Sequence, residues 1–170
     1  MSGIDRSDEE RKLLARASTV FPGGTMGNVR FGEDYAFVVR EGQGSRIWDV
    51  SGNEYVDYLL GSGPMVVGHA HPKVTAAAEE AMHKGTTFFT QNEYSIELAE
   101  RIVDAVACAE QVRYTSTGTE ATYYCLRVAR AYRKRDKVLK FEGGFHGMHD
   151  YSLMSLTPSG EVPFPAPEPS

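Results

Sequence analysis

Cysteine is scarce in this sequence: Cys108 and Cys125 are the only two among 170 residues. Two thiols in helix-forming surroundings build neither a disulfide framework nor a four-ligand metal site, and their use fits a reducing cytoplasm. Long apolar runs are missing as well. The opening residues Met1 to Arg16 are charged, and no stretch has the apolar length that crosses a bilayer, which argues against secretion and membrane insertion. Positive charge is not in excess, the formal net charge being −5. The one basic cluster, Arg127, Arg130, Arg133, Lys134, Arg135 and Lys137, ends a helical pattern where cations complement the dipole, so a solvated helix end is expected and nucleic acid is not. Neither the G-x-x-x-x-G-K of a P-loop nor the G-x-G-x-x-G of a dinucleotide site occurs. His69 and His71 have an H-x-H spacing but no third ligand suitably placed, so no metal is expected.

What remains is a globular composition, 41% hydrophobic, long enough for one core. Asp8 to Val20 is expected to form a short helix. Tyr35 to Tyr58 alternates apolar and polar residues around Gly42-Gln-Gly44 and Ser51-Gly-Asn53, the pattern of a small antiparallel meander. Helices are expected over His71–Gly85 and Asn92–Val106. The expected organisation is an N-terminal segment over 1–69, the first part of a large α/β domain over 70–156, and a loop or disordered tail over 157–170, which holds five of the eight prolines.

The most informative stretch is Val112 to Asp150. A β-rich run, Gln111 to Tyr114, leads into Ser116-Thr-Gly-Thr-Glu-Ala121 and then a helical pattern with Thr122, Cys125, Leu126, Ala129 and Tyr132 on one face. Thr117 and Glu120 have the spacing of a capping box, in which each side chain satisfies a backbone N–H of the other's neighbourhood. The other first-turn N–H groups stay free. With Gly118 allowing close approach and Thr119 adding a hydroxyl, they suit a phosphate, although the turn by itself is equally readable as a well-capped helix. A second strand is expected at Val138–Phe141, giving a strand-helix-strand unit that needs a right-handed crossover in a parallel sheet. After it come three glycines around an aromatic, Phe141-Glu-Gly-Gly-Phe-His-Gly147. In open α/β sheets ligands bind beyond the carboxyl ends of strands, where turn and loop would both lie. Phe145 beside a phosphate cradle suits a planar phosphorylated ring, and pyridoxal phosphate fits that description.

These residues resemble the class III, fold-type I pyridoxal-phosphate aminotransferases, and most the branch containing glutamate-1-semialdehyde aminomutase. The likeness rests on an ordered set: Phe21-Pro-Gly-Gly24 with Val29-Arg30, Ile47 through Tyr58, Gly61-Ser-Gly-Pro-Met65, Gly68-His-Ala-His-Pro72, Gln111-Val-Arg113, the Gly118-Thr-Glu-Ala121 turn, and Phe141 to Gly147. It implies an α/β fold, a small antiparallel meander followed by the start of a mainly parallel α/β/α large domain. It implies that Thr117, Gly118 and Thr119 contact the cofactor phosphate, that Phe145 stacks on the pyridine ring, and that Arg30 helps hold a substrate carboxylate; His146, following the stacking aromatic, is expected to hydrogen-bond near the cofactor. Here Gly27-Asn28 stands where the branch has a serine-proline pair, so the substrate stays open, as does a plain surface role for Arg30 beside Glu33 or Asp34.

The resemblance places the aspartate of the pyridine nitrogen and the lysine that bonds the cofactor beyond Ser170. Lys12, Lys73, Lys84, Lys134, Lys137 and Lys140 all stand in charged, helix-end or strand-start contexts rather than in the enclosed pocket that role needs, Lys140 being nearest in sequence. The chain is therefore expected to be the N-terminal portion of an aminotransferase or aminomutase, without catalytic residues of its own and inactive alone. Its expected partners are the C-terminal remainder, a second copy in a homodimer of the complete enzyme, and an amino- or keto-substrate. A large domain stopped after two strands leaves an open sheet edge and apolar helix faces, so it needs such a partner. The alternative is an inactive phosphate-binding module or a structural subunit that completes another protein's pocket.

Overall fold

A computed structural model of the protein describes residues 4–27 and 31–156. Two compact units make it up, one running to Phe89 and the other starting at Thr90.

The first unit opens with α1, Asp8–Val20, over the range expected. Ser7 caps it by accepting from the Glu10 amide, and Asp8, Glu9 and Glu10 place negative charge on the positive end of the dipole. A 3-10 turn, Pro22–Gly24, follows. The meander comes next as β1 (Val39–Gln43), β2 (Arg46–Asp49) and β3 (Glu54–Val56), antiparallel and in sequence order. Gly44 and Gly52 turn the two hairpins with φ of 56° and 89°, a region that costs glycine little. Helix α2, Pro72–Met82, ends the unit, with proline at the first helical position, where its missing N–H is harmless.

Buried carboxylates organise this unit. Glu10 and Asp49 are its most enclosed side chains, and Val50 is the buried hydrophobic residue among those described. Glu10 Oε1 accepts from the Val38 amide at 2.6 Å, and its other oxygen accepts from the Ser51 hydroxyl, which also receives the Ser7 amide at 2.8 Å. Asp49 receives the Asn53 amide and side chain, each at 2.8 Å, and the Tyr55 hydroxyl at 2.7 Å. Burial raises the Asp49 pKa, but the Asn53 and Tyr55 hydrogen bonds outweigh it and hold the carboxyl below its usual range. Tyr55, stacked on Phe37 at 4.7 Å, is pushed up to about 12 by burial and then by its bond to Asp49.

A folded-state pKa above the unfolded value contributes stability that is complete below pH about 10 and lost as pH rises toward about 12. Thermal melts followed through Trp48 on β2, the sole tryptophan, should show that alkaline loss. The Tyr55→Phe chain should lack this component of it; an identical alkaline limb in both chains would remove Tyr55 from the account.

The second unit is helical. Helix α3, Glu93–Ala105, starts with an Asn92–Ser95 capping box, and α4, Gly118–Arg133, with Thr117 and Glu120. The first lies within the expected 92–106, and the second opens in the 116–121 turn, from which a helical pattern is expected. Lys134 closes α4 in the left-handed region at φ 51°, and a short α5 spans Asp150–Leu153. The basic end of α4 is more engaged than a solvated face: the Arg130 guanidinium lies 4.2 Å from the Tyr151 ring and donates to the Asp136 carbonyl at 2.7 Å. Arg127 lies 5.6 Å from the Tyr123 ring.

The strands expected at 111–114 and 138–141 are not formed. Among the described residues the one sheet is the β1–β3 meander, and both segments lie outside any ladder. A strand exists by bonding to a neighbour, and no described segment offers these two their N–H and C=O partners. Consistent with that lack, Leu139 and Phe141 are 85% and 80% exposed. The tail over 157–170 lies outside the described residues.

Candidate cofactor-phosphate site

The first turn of α4 is set by local chemistry. Thr117 Oγ1 accepts from the Glu120 amide at 3.1 Å, while Glu120 Oε2 accepts from the Ser116 and Thr117 amides at 2.8 and 3.2 Å. That capping box uses the amides on either side and leaves those of Gly118 and Thr119 without a hydrogen-bond partner among the described residues. Two adjacent unpartnered N–H groups at the positive end of a 16-residue helix have the donor geometry that suits an anion. The space beside Gly118 is open: nothing lies within 4 Å of the position a Cβ would take.

The aromatic loop lies directly on this turn. A Cβ on Gly147, whose φ is 103°, would stand 2.8 Å from Thr119 Cα and 3.0 Å from Thr119 Oγ1. Only glycine permits that approach. The Met148 amide donates to Thr119 Oγ1 at 3.1 Å, so the Thr119 hydroxyl proton remains for another acceptor. Phe145, two residues before Gly147, is 60% exposed and stacks on no other ring among the described residues. His146 folds back over Gly144, its Nε2 2.8 Å from where a Cβ there would be.

Of the residues expected at the site, Thr117, Gly118 and Thr119 share the first turn of α4, and Phe145 and His146 belong to the loop against it. Arg30 lies outside the described residues. Lys140, nearest in sequence among the lysines, gives its ammonium to the Met154 carbonyl. His69 is used structurally: its Nε2 lies 2.6 Å from Asp57 Oδ2, and that hydrogen bond, with the Leu60 amide, holds the Asp57 carboxyl below its ordinary value.

Four residues were missed by sequence reasoning. Thr122 Oγ1 lies 2.7 Å from the His146 carbonyl, His149 packs edge-on to Tyr123 and Tyr151, and buried Ser152 donates to the Gly147 carbonyl at 2.7 Å. Gly147 is the fourth. Its place after His146 was visible, but a need for positive φ is not written in composition.

Residues 29–163 match the family described as aminotransferase class-III. A glutamate-1-semialdehyde 2,1-aminomutase of Methanothermobacter thermautotrophicus is 46% identical over 146 residues, covering 86% of this chain and 35% of its own length. The chain thus spans about a third of the curated relatives it matches. An omega-transaminase from Sphaerobacter thermophilus superposes with a TM-score of 0.87 at 31% identity, over 95% of this chain and 37% of its own. A transaminase solved with PLP bound gives 0.86 at 35% identity, over 94% and 38%.

Proposed function

The chain belongs to the class-III aminotransferase family, and on that premise we propose that it is the N-terminal portion of a pyridoxal-phosphate-dependent aminotransferase or aminomutase, the part that anchors the cofactor. The single observation carrying this reading is the pair of unpartnered amides at Gly118 and Thr119, held open beside an exposed aromatic. The donor set fits the group: two amides and the Thr119 hydroxyl for a phosphate dianion, with the helix dipole behind them, and the Phe145 face for a planar ring. Thr117 adds a hydroxyl proton, its oxygen already accepting from Glu120.

When bound, pyridoxal phosphate supplies the electron sink for moving an amino group. The residues of this chain bind it, orient its ring and keep the phosphate end fixed. His146 would stand on the same loop as the ring-stacking Phe145, and Arg30 is assigned to a substrate carboxylate. The large domain begins near residue 70 in this reading. The lysine that bonds the cofactor comes from the C-terminal remainder of the enzyme, and the complete protein is a cytoplasmic homodimer acting on an amino- or keto-substrate. No helix among the described residues is long and apolar enough to cross a membrane.

The test is to titrate the 170-residue chain with pyridoxal phosphate, reduce with borohydride, and map the products by mass. Reversible binding with no single stoichiometrically modified lysine is expected, Lys140 being committed to Met154. A specific adduct on one lysine would mean that the chain carries its own covalent site. Absence of saturable binding would overturn the anchoring role itself.

A further inference from the structure

His149 was assigned no role by its sequence context, yet it stands at the joint between the phosphate turn and the aromatic loop. The hydroxyl of Thr122 is crowded by acceptors: the carbonyls of His146 at 2.7 Å and of Gly118 and Thr119 at 3.0 Å each. One hydroxyl proton serves one of these best, and the shortest contact is to His146. The remaining neighbour is His149 Nε2 at 3.2 Å. If Nε2 were bare, it would compete for the proton that the carbonyls need, or face an oxygen lone pair. A proton on Nε2 removes the conflict, because the ring then donates to Thr122 Oγ1 while Thr122 donates onward to His146.

The other ring nitrogen agrees. His149 Nδ1 is enclosed and has no hydrogen-bond partner. A proton there would be a buried donor without an acceptor, the costlier of the two ways to leave that atom unpaired. Tyr123 and Tyr151 meet the ring edge-on, at 5.7 and 6.1 Å between centroids, and fix its plane. Ser152 Oγ, 3.0 Å from the His149 carbonyl and 2.7 Å from that of Gly147, anchors the backbone beneath.

We propose that His149 is a positioning residue for cofactor binding: as the Nε2–H tautomer it donates to Thr122, which locks the His146 carbonyl onto α4 and so sets Phe145 and the Thr119 hydroxyl at the phosphate turn. This rests on the cofactor-anchoring reading above. The relay is short and directional. His149 orients Thr122, Thr122 holds His146, and the next residues bring Gly147 onto Thr119 and the Met148 amide to Thr119 Oγ1.

The experiment compares His149→Phe, which keeps the flat ring between the two tyrosines, with His149→Gln, whose amide keeps an N–H at a similar reach. Pyridoxal phosphate affinity is measured by equilibrium dialysis, and amide exchange over 144–148 by mass spectrometry. Loss of one part-buried hydrogen bond is expected to weaken affinity about tenfold in His149→Phe, with His149→Gln staying within about threefold of the native chain. Thr122→Val should match His149→Phe, and the double variant should be no weaker than either single one, as members of one relay are not additive. Exchange over 144–148 should quicken in His149→Phe and Thr122→Val and be restored in His149→Gln. Equal weakening by Phe and Gln, or native affinity in His149→Phe, would overturn the proposal. If the native chain does not bind pyridoxal phosphate, the anchoring reading fails by itself, and the exchange pattern still decides whether His149 holds the loop through its N–H.

Discussion

A Gly118→Pro chain is expected to bind pyridoxal phosphate roughly tenfold to a hundredfold more weakly, the cost of about one charge-assisted hydrogen bond, while α4 melts no earlier than in the native chain. The substitution separates the helix from the anion site because Gly118 is the first residue of α4. Proline is favoured there, its fixed φ suiting the helix and its absent N–H being one the helix does not use. The preceding residue tolerates it too: Thr117 has φ −142° and ψ 158°, inside the extended region that proline imposes on its neighbour. Open space surrounds the position of the new Cβ. What disappears is one of the two unpartnered amides. Equilibrium dialysis reads the affinity and far-ultraviolet circular dichroism the helix. Undiminished affinity with an intact helix would show that the Gly118 amide does not meet the phosphate.

Asp49→Ala should destabilise the first unit by about 3–4 kcal/mol, because a buried carboxylate vanishes while its donors stay behind. The Asn53 amide, the Asn53 side chain and the Tyr55 hydroxyl would lose their acceptor together, and Asp49 is only 1% exposed, so water does not readily replace it. For a unit of this size each kcal/mol moves the midpoint by roughly 4–8 °C, so a Trp48-monitored melt gives a large signal. Asp49→Asn should fall between, keeping an acceptor for the Asn53 amide but turning an NH2 toward groups that donate. The pH dependence follows from the sign of the shift. A carboxyl held below its unfolded value of about 3.8 contributes fully above that pH and loses its contribution as pH falls through the lower native value. Both variants should therefore lack that part of the acid limb. A melt of Asp49→Ala within a degree or two of native would mean that the three donors find other partners.

The helix caps and the Glu10 network differ in legibility. The Thr117–Glu120 capping box joins residues three apart, and the helix N-termini at Asp8, Glu93 and Gly118 are signalled by side chains within one turn of them. Glycines marked the hairpin turns of the meander for the same reason. The Glu10 network had no such signal: Val38 and Ser51 lie 28 and 41 residues away, and a glutamate in an amphipathic helix ordinarily faces water. The segments 111–114 and 138–141 failed differently. Their β-rich composition suits a pleated surface, but a strand also needs neighbours, which the described residues do not supply.

By itself, then, the sequence determined the helix caps and hairpin turns of this protein, its family, and which residues, Thr117, Gly118, Thr119, Phe145 and His146, are proposed to meet a cofactor, because caps, turns and motifs are written within a few residues of one another. Tertiary structure alone decided that Gly147 lies on Thr119, that the Thr122 hydroxyl meets the His146 carbonyl and His149 Nε2 across 24 and 27 residues, and that Glu10 ties α1 to Val38 and Ser51. Those contacts depend on which groups distant in sequence are brought within about 3 Å of one another, and no local spacing encodes that.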